Sequence, residues 1–177
     1  MYIKEGSMSE DFKNDVIDLN RYEINTEEGF FSIKDYVAKK KTTQDCIFYA
    51  TSASRVTAAD NPYVYALSKA EVPVIIATTH FEDMIFQQMG TYEGLKFANV
   101  ETESEAVDRV LKGVKEEKGE KDEKESDVRV PEDDLTSFSL WIKNELQPFV
   151  EKVVVSNRQL MGPALVISKT SSAMRQM

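Results

Sequence analysis

Apolar positions in this 177-residue chain change period partway along, and the change predicts where helices give way to strands. Over residues 9–23, Phe12, Val16, Leu19 and Tyr22 recur at helical spacing. They follow Ser9, which can cap, and Glu10 and Asp11, which suit a helix start. "NTEEG", from Asn25 to Gly29, carries turn chemistry. A second short helix starts at Ser32, with Ile33, Tyr36 and Val37 on one face. Then the period shortens. "DCIFYATS" reads as a strand, "NPYVYALSKAE" as a helix opened by Pro62, and "VPVIIATT" as a strand apolar on both faces. "FEDMIFQQMGTY" follows as a helix and "LKFANVE" as a third strand. Such an alternation is that of a parallel sheet with helix cover.

The pattern lapses between Gly113 and Asp127, where "GVKEEKGEKDEKESD" has Val114 as its one apolar residue. A segment so charged cannot bury enough surface to offset its ordering entropy. It reads as a solvated linker or a fraying helix end, and as a domain boundary. Beyond it, Pro131 and the acidic Glu132, Asp133 and Asp134 open another helix. Leu135, Phe138, Ile142, Leu146 and Phe149 form its apolar stripe, with Trp141 on the edge and Pro148 as the stop. Two apolar runs, 153–155 and 164–167, then flank a Gly162-Pro163 turn and predict a β-ribbon. A lone two-stranded ribbon is marginal in water, so this one calls for a covering layer.

Composition narrows the function classes. A hydrophobic content of 41 % suffices for a real core, and a net charge of −9 argues against nucleic acid or anionic membrane as main partner. No apolar stretch approaches the ~20 residues of a membrane helix. No positively charged leader is visible, which leaves the compartment open. Cys46 is the only cysteine, so an intrachain disulfide and a cysteine zinc site are both excluded. Within "CIFYA" it reads as a small buried hydrophobe.

Catalytic chemistry is equally sparse. His80, the single histidine, stands at a strand-to-helix turn and reads as a turn residue rather than a general base. The seven glycines form neither G-x-G-x-x-G nor G-x-x-x-x-G-K-[ST], so no phosphate cradle is evident. Glu82-Asp83 and Asp133-Asp134 read as helix-start or solvated charges. The residues alone give an acidic α/β domain, the beginning of another, and no catalytic constellation or metal site.

The order of short motifs resembles the heat-shock protein 90 chaperone family. The matching stretches are "YIKEG" (2–6), "DLNRYE" (18–23), "FSIKDYV" (31–37), "QDCIFYATSASR" (44–55), "NPYVYAL" (61–67), "VPVIIATTHFEDMIFQQM" (72–89), "YEGLKFANV" (92–100) and "VEKVVVSNRQLMGPALVIS" (150–168). The resemblance implies the distal part of a middle domain over 1–112, a charged linker over 113–129 and the start of a C-terminal dimerisation domain over 130–177. On that reading the chain is an excised piece, and the cover of the ribbon lies downstream. The implied fold class is α/β: a small βαβ sandwich layer preceded by helices, then a helix and β-ribbon that begin an α+β domain.

The implied activity is that of an ATP-dependent chaperone that binds and remodels partly folded client proteins, working as a homodimer with co-chaperones. ATP and magnesium belong to the parent chain, with the ATP-contacting residues expected before Met1. This fragment itself is expected to be no enzyme, to hold no cofactor, and to bind neither nucleic acid nor membrane. On the helix after the second strand, Phe81, Ile85 and Met89 are expected to face the sheet. Asp83 and Gln87 would then face away, with Met84 at the border. In the family the matching helix carries client-contact residues, which implies that role for Asp83, Met84 and Gln87. Met84 stands where some members have Trp.

One departure concerns "KTSSAMRQM", which lacks the Gly-Trp-x-Ala-Asn element common after the ribbon. It points to a mitochondrial or other organellar branch, otherwise to the cytoplasm. Two other readings stay open: a Rossmann-like enzyme subdomain completed by a partner, and an adaptor whose charged linker orders on a partner.

Overall fold

A run of six residues from Cys46 to Thr51 forms the centre of one five-stranded sheet, because both of its faces are apolar and both are covered. The computed structural model describes residues 17–117, 131–155 and 164–167. In chain order its strands are β1 (Glu23–Ile24), β2 (Cys46–Thr51), β3 (Ile75–Ala77), β4 (Thr91–Tyr92) and β5 (Leu95–Asn99). They lie in the order β1-β3-β2-β5-β4. β2 runs parallel to both β3 and β5, while β1 and β4 pair antiparallel at the two edges. The edge strands are two residues each, which leaves little open ladder.

The helices are α1 (Ile33–Lys39), α2 (Arg55–Ala59), α3 (Pro62–Lys69), α4 (His80–Met89), α5 (Ser104–Glu117) and α6 (Glu132–Glu145). Alternation along β2 sends Ile47 and Tyr49 to one face and Cys46, Phe48 and Ala50 to the other. The first face packs with Ile33 and Tyr36 of α1 and with Ile85 and Phe86 of α4. The second packs with Val64 and Leu67 of α3 and with Val107, Val110 and Val114 of α5. The result is a parallel core clothed on both sides, as its doubly apolar strands require. The predicted strand-helix-strand alternation is therefore the observed one.

Polar groups fix the layer. The β2–β3 ladder starts at the pair Tyr49 and Ile75, one residue beyond Phe48. The Phe48 amide instead donates to the Tyr36 hydroxyl at 2.9 Å. That hydroxyl donates to the Pro73 carbonyl at 2.8 Å and accepts from Gln44 Nε2 at 2.6 Å. Asn25 ties the "NTEEG" turn to β3, accepting from the Val74 amide at 2.7 Å and donating to Ser68 Oγ at 2.8 Å.

Several expectations need correction. Of the helix expected over 9–23, residues 9–16 lie outside the described residues, and the remainder is a 3-10 turn, Ile17–Leu19, followed by β1. Tyr22 exchanges backbone bonds with Phe31 at 2.9 and 2.8 Å, so its amide and carbonyl serve a bridge instead of a helix. Ile17 rather than Leu19 is the buried apolar residue there. Helices α2 and α5 were not anticipated. The charged run begins inside α5, since residues 113–117 complete that helix and Val114 is buried; residues 118–130 lie outside the described set.

The chain divides into two units, Met1–Gly119 with Gln159–Met177, and Glu120–Arg158. In the second, α6 carries Leu135, Phe138 and Ile142 of the expected stripe, whereas Leu146 and Phe149 lie past its end at Glu145; Phe138 and Trp141 stack at 5.9 Å and both are exposed. The described residues at 153–155 and 164–167 are not strands, contrary to the expected ribbon, and Val154, Val155, Val166 and Ile167 are exposed. The turn at Gly162-Pro163 is outside the described residues. A pair of strands without a third or a covering layer recovers too little apolar burial to hold its ladder.

Candidate functional site

Helix α4 is built from its ends inward. Thr79 is extended at the N-cap, and Glu82 reaches back so that its Oε2 accepts from the Thr79 amide at 3.0 Å and the Thr78 amide at 2.6 Å. This is the reciprocal capping arrangement that suits Glu at the third helical position. Gly90 closes the other end at φ +67°, with its amide donating to the Phe86 carbonyl at 3.1 Å. A left-handed residue there favours glycine.

Between the caps, Ile85 and Phe86 are fully buried. The Phe86 ring sits 4.8 Å from Tyr49, 4.9 Å from Phe97 and 5.3 Å from Tyr22. The helix is therefore seated on Phe86, and the expected seat of Phe81, Ile85 and Met89 is corrected. Phe81 is 44 % exposed, Met89 is half-buried, and only Ile85 is wholly inside. Its outer face presents Phe81, Met84 at 46 % exposure, Gln87 and Gln88.

Gln87 faces away as expected, and Met84, expected at the border, is exposed as well. Asp83, expected to face away, does not. It is 2 % exposed, and its Oδ1 accepts from the Tyr49 hydroxyl at 2.9 Å. The rotation of the helix onto the aromatic cluster carries it inward, and the tyrosine supplies the partner a buried carboxylate needs. Burial first, and then the adjacent Asp83 charge, push the Tyr49 hydroxyl well above the usual tyrosine range. Tyr22 is raised in the same way, by burial and then by Glu82.

Other surfaces offer less. A shallow depression lined by Asn25, Lys39, Lys41, Ser68 and Glu71 supplies its own counter-charges, Lys39 to Glu27 at 2.9 Å and Lys41 to Glu71 at 3.6 Å. Gly29, Gly90 and Gly94 have positive φ and stand at separate turns. No cluster of His, Cys, Asp and Glu suited to a metal occurs among the described residues, and none of their helices is long and apolar enough to cross a membrane.

The described residues build a parallel-centred α/β layer whose helix α4 leaves Phe81 and Met84 exposed. Among solved structures it is similar to the middle domain of a heat shock protein from Plasmodium falciparum, with 21 % identity and a TM-score of 0.50. That likeness covers 56 % of this chain and 42 % of the other, and it is one of fold. The family model for Hsp90 protein matches residues 1–177, and the chain belongs to the Hsp90 family. It is 26 % identical to "Chaperone protein HtpG" of Wigglesworthia glossinidia brevipalpis over all of this chain and 27 % of that protein. It is also 29 % identical to the HtpG of Myxococcus xanthus, over 93 % of this chain and 24 % of that one. The chain thus spans about a quarter of the length of these bacterial relatives.

Proposed function

We propose that this chain is the distal middle-domain part of an ATP-dependent chaperone of the Hsp90 type, joined to the start of its C-terminal dimerisation domain, and that α4 contacts partly folded clients. The observation that carries the reading is the family match along residues 1–177, with relatives named as chaperones. ATP hydrolysis with magnesium, homodimerisation and co-chaperone binding belong to the parent protein on this reading. Burial of Val114 supports ending the middle part at Glu117 instead of residue 112. The departure at "KTSSAMRQM" favours an organellar compartment, and fractionation of cells expressing the tagged parent tests it.

The contact set is Phe81, Met84 and Gln87. Asp83 leaves it because its carboxylate is engaged inside. In the full-length parent, Phe81→Ser combined with Met84→Ser should lower client affinity and client-stimulated ATPase while circular dichroism stays unchanged. Unaltered client affinity in a folded variant would reduce α4 to scaffold.

A further inference from the structure

We propose that Met84 is a reversible oxidation site on the outer face of α4, and that its conversion to the sulfoxide weakens contact with apolar clients. The proposal rests on the client-contact reading and adds a control to it. Met84 is 46 % exposed, and Phe81, one helical turn before it, is 44 % exposed. Met89, at the end of the same helix, is instead half-buried against the aromatic core cluster. One helix thus holds a thioether open to solvent and another that is packed away.

A thioether sulfur carries its lone pairs at every pH, so a peroxide attacks it without prior deprotonation. The sulfur takes one oxygen as the O–O bond breaks, and hydrogen peroxide leaves as water. Sulfur is oxidised by two electrons and the peroxide reduced by two. The one thiol of the chain does not compete for the oxidant. Cys46 is 4 % exposed, and burial first and then Asp45 keep it from ionising, whereas the thiolate is the reactive form.

Oxidation turns a flexible apolar side chain into a polar, chiral one. Its new oxygen needs a hydrogen-bond donor, which an apolar client segment does not supply. Closing the contact would leave that oxygen buried and unpaired. A dithiol reverses the change: the oxygen leaves as water and the two thiols become a disulfide. A bound client covers Met84, so the oxidant acts on the unloaded chain.

The test titrates the 177-residue chain against a fluorescent peptide of Leu, Phe, Val and Ser, before and after hydrogen peroxide, with oxidised residues mapped by mass spectrometry. Met84 should oxidise about tenfold faster than Met89, and peptide affinity should fall about tenfold in step with it. Methionine sulfoxide reductases for both epimers, with dithiothreitol, should restore the affinity. Saturating peptide should slow oxidation of Met84 and leave Met89 unaffected. Whatever its starting affinity, Met84→Leu should keep it through the peroxide treatment. Equal oxidation of Met84 and Met89, affinity unchanged once Met84 is oxidised, or the same loss in peroxide-treated Met84→Leu would each overturn the proposal. The contact reading would survive those results if Phe81→Ser lowers peptide binding to the untreated chain. Binding that Phe81→Ser leaves unchanged would remove the contact reading and the switch with it.

Discussion

Tyr36 holds the amide of Phe48 where the β2–β3 ladder has not yet begun, so its hydroxyl substitutes for a strand. Tyr36→Phe leaves that buried amide without its acceptor and should cost about 1–3 kcal/mol, read as a lower urea midpoint at unchanged slope. Gly113 shows the opposite constraint. A Cβ there would lie 2.8 Å from Thr43 Cγ2, so α5 packs against the chain after α1 only through a bare backbone. Gly113→Ala gains up to about 1 kcal/mol in helix propensity but meets an overpacking cost of about 1–3 kcal/mol. The expected result is net loss of thermal stability. Cys46 is pushed up to about 12, by burial first and then by Asp45. With so little thiolate, its alkylation at pH 8 should run at least a hundredfold slower in the folded chain than in urea. Because the folded value is the raised one, this thiol favours folding below its ordinary range, and that contribution is lost as pH climbs toward 12.

At the scale of elements, α1 and α4 each begin at an N-terminal cap. Ser32 Oγ accepts from the Asp35 amide at 3.1 Å, and Asp35 Oδ2 accepts from the Ser32 amide at 2.9 Å. The Ser32 hydroxyl, which donates to Asp35 Oδ2 at 2.7 Å, and then the Ser32 amide hold the Asp35 carboxyl below its usual range. A depressed folded value means the cap stabilises above the ordinary carboxylate range and fails as pH falls through the folded value. The difference in urea midpoint between wild type and Asp35→Asn, present at pH 7, should therefore vanish on acidification. For α4 the seat and the outer face separate cleanly. Phe86→Ala should cost about 3–5 kcal/mol, whereas Phe81→Ala should change stability by about 0.5 kcal/mol or less. Comparable losses at the two positions would contradict the helix rotation described here.

Across the whole molecule, the family match removes the support for a Rossmann-like enzyme subdomain or a free-standing adaptor. On the proposed reading, the nucleotide apparatus belongs to other parts of the parent. Titration of the 177-residue chain with magnesium-ATP should accordingly show no heat of binding, and a micromolar isotherm would defeat that assignment. The described apolar residues at 153–155 and 164–167 remain without ladders, so their burial depends on a layer not found among the described residues.

What the sequence determined by itself was local or periodic. A short β-rich run marked β2 and a doubly apolar run marked β3, while Pro62 marked the start of α3 and Ser32 the start of α1, because turn and cap chemistry acts within a few residues. The motif order carried the family. What tertiary structure decided was which apolar residues win the interior. Phe81 and Phe86 are equal as sequence, and the choice fell to Phe86 because Tyr22, Tyr49 and Phe97 converge on it from three separate strand segments. The same convergence drew Asp83 inward to the Tyr49 hydroxyl and left Met84 outside. Tyr22 likewise left its helical periodicity because Phe31 offered both backbone partners across the "NTEEG" turn. Long-range partners of this kind lie tens of residues apart, where no spacing rule reaches.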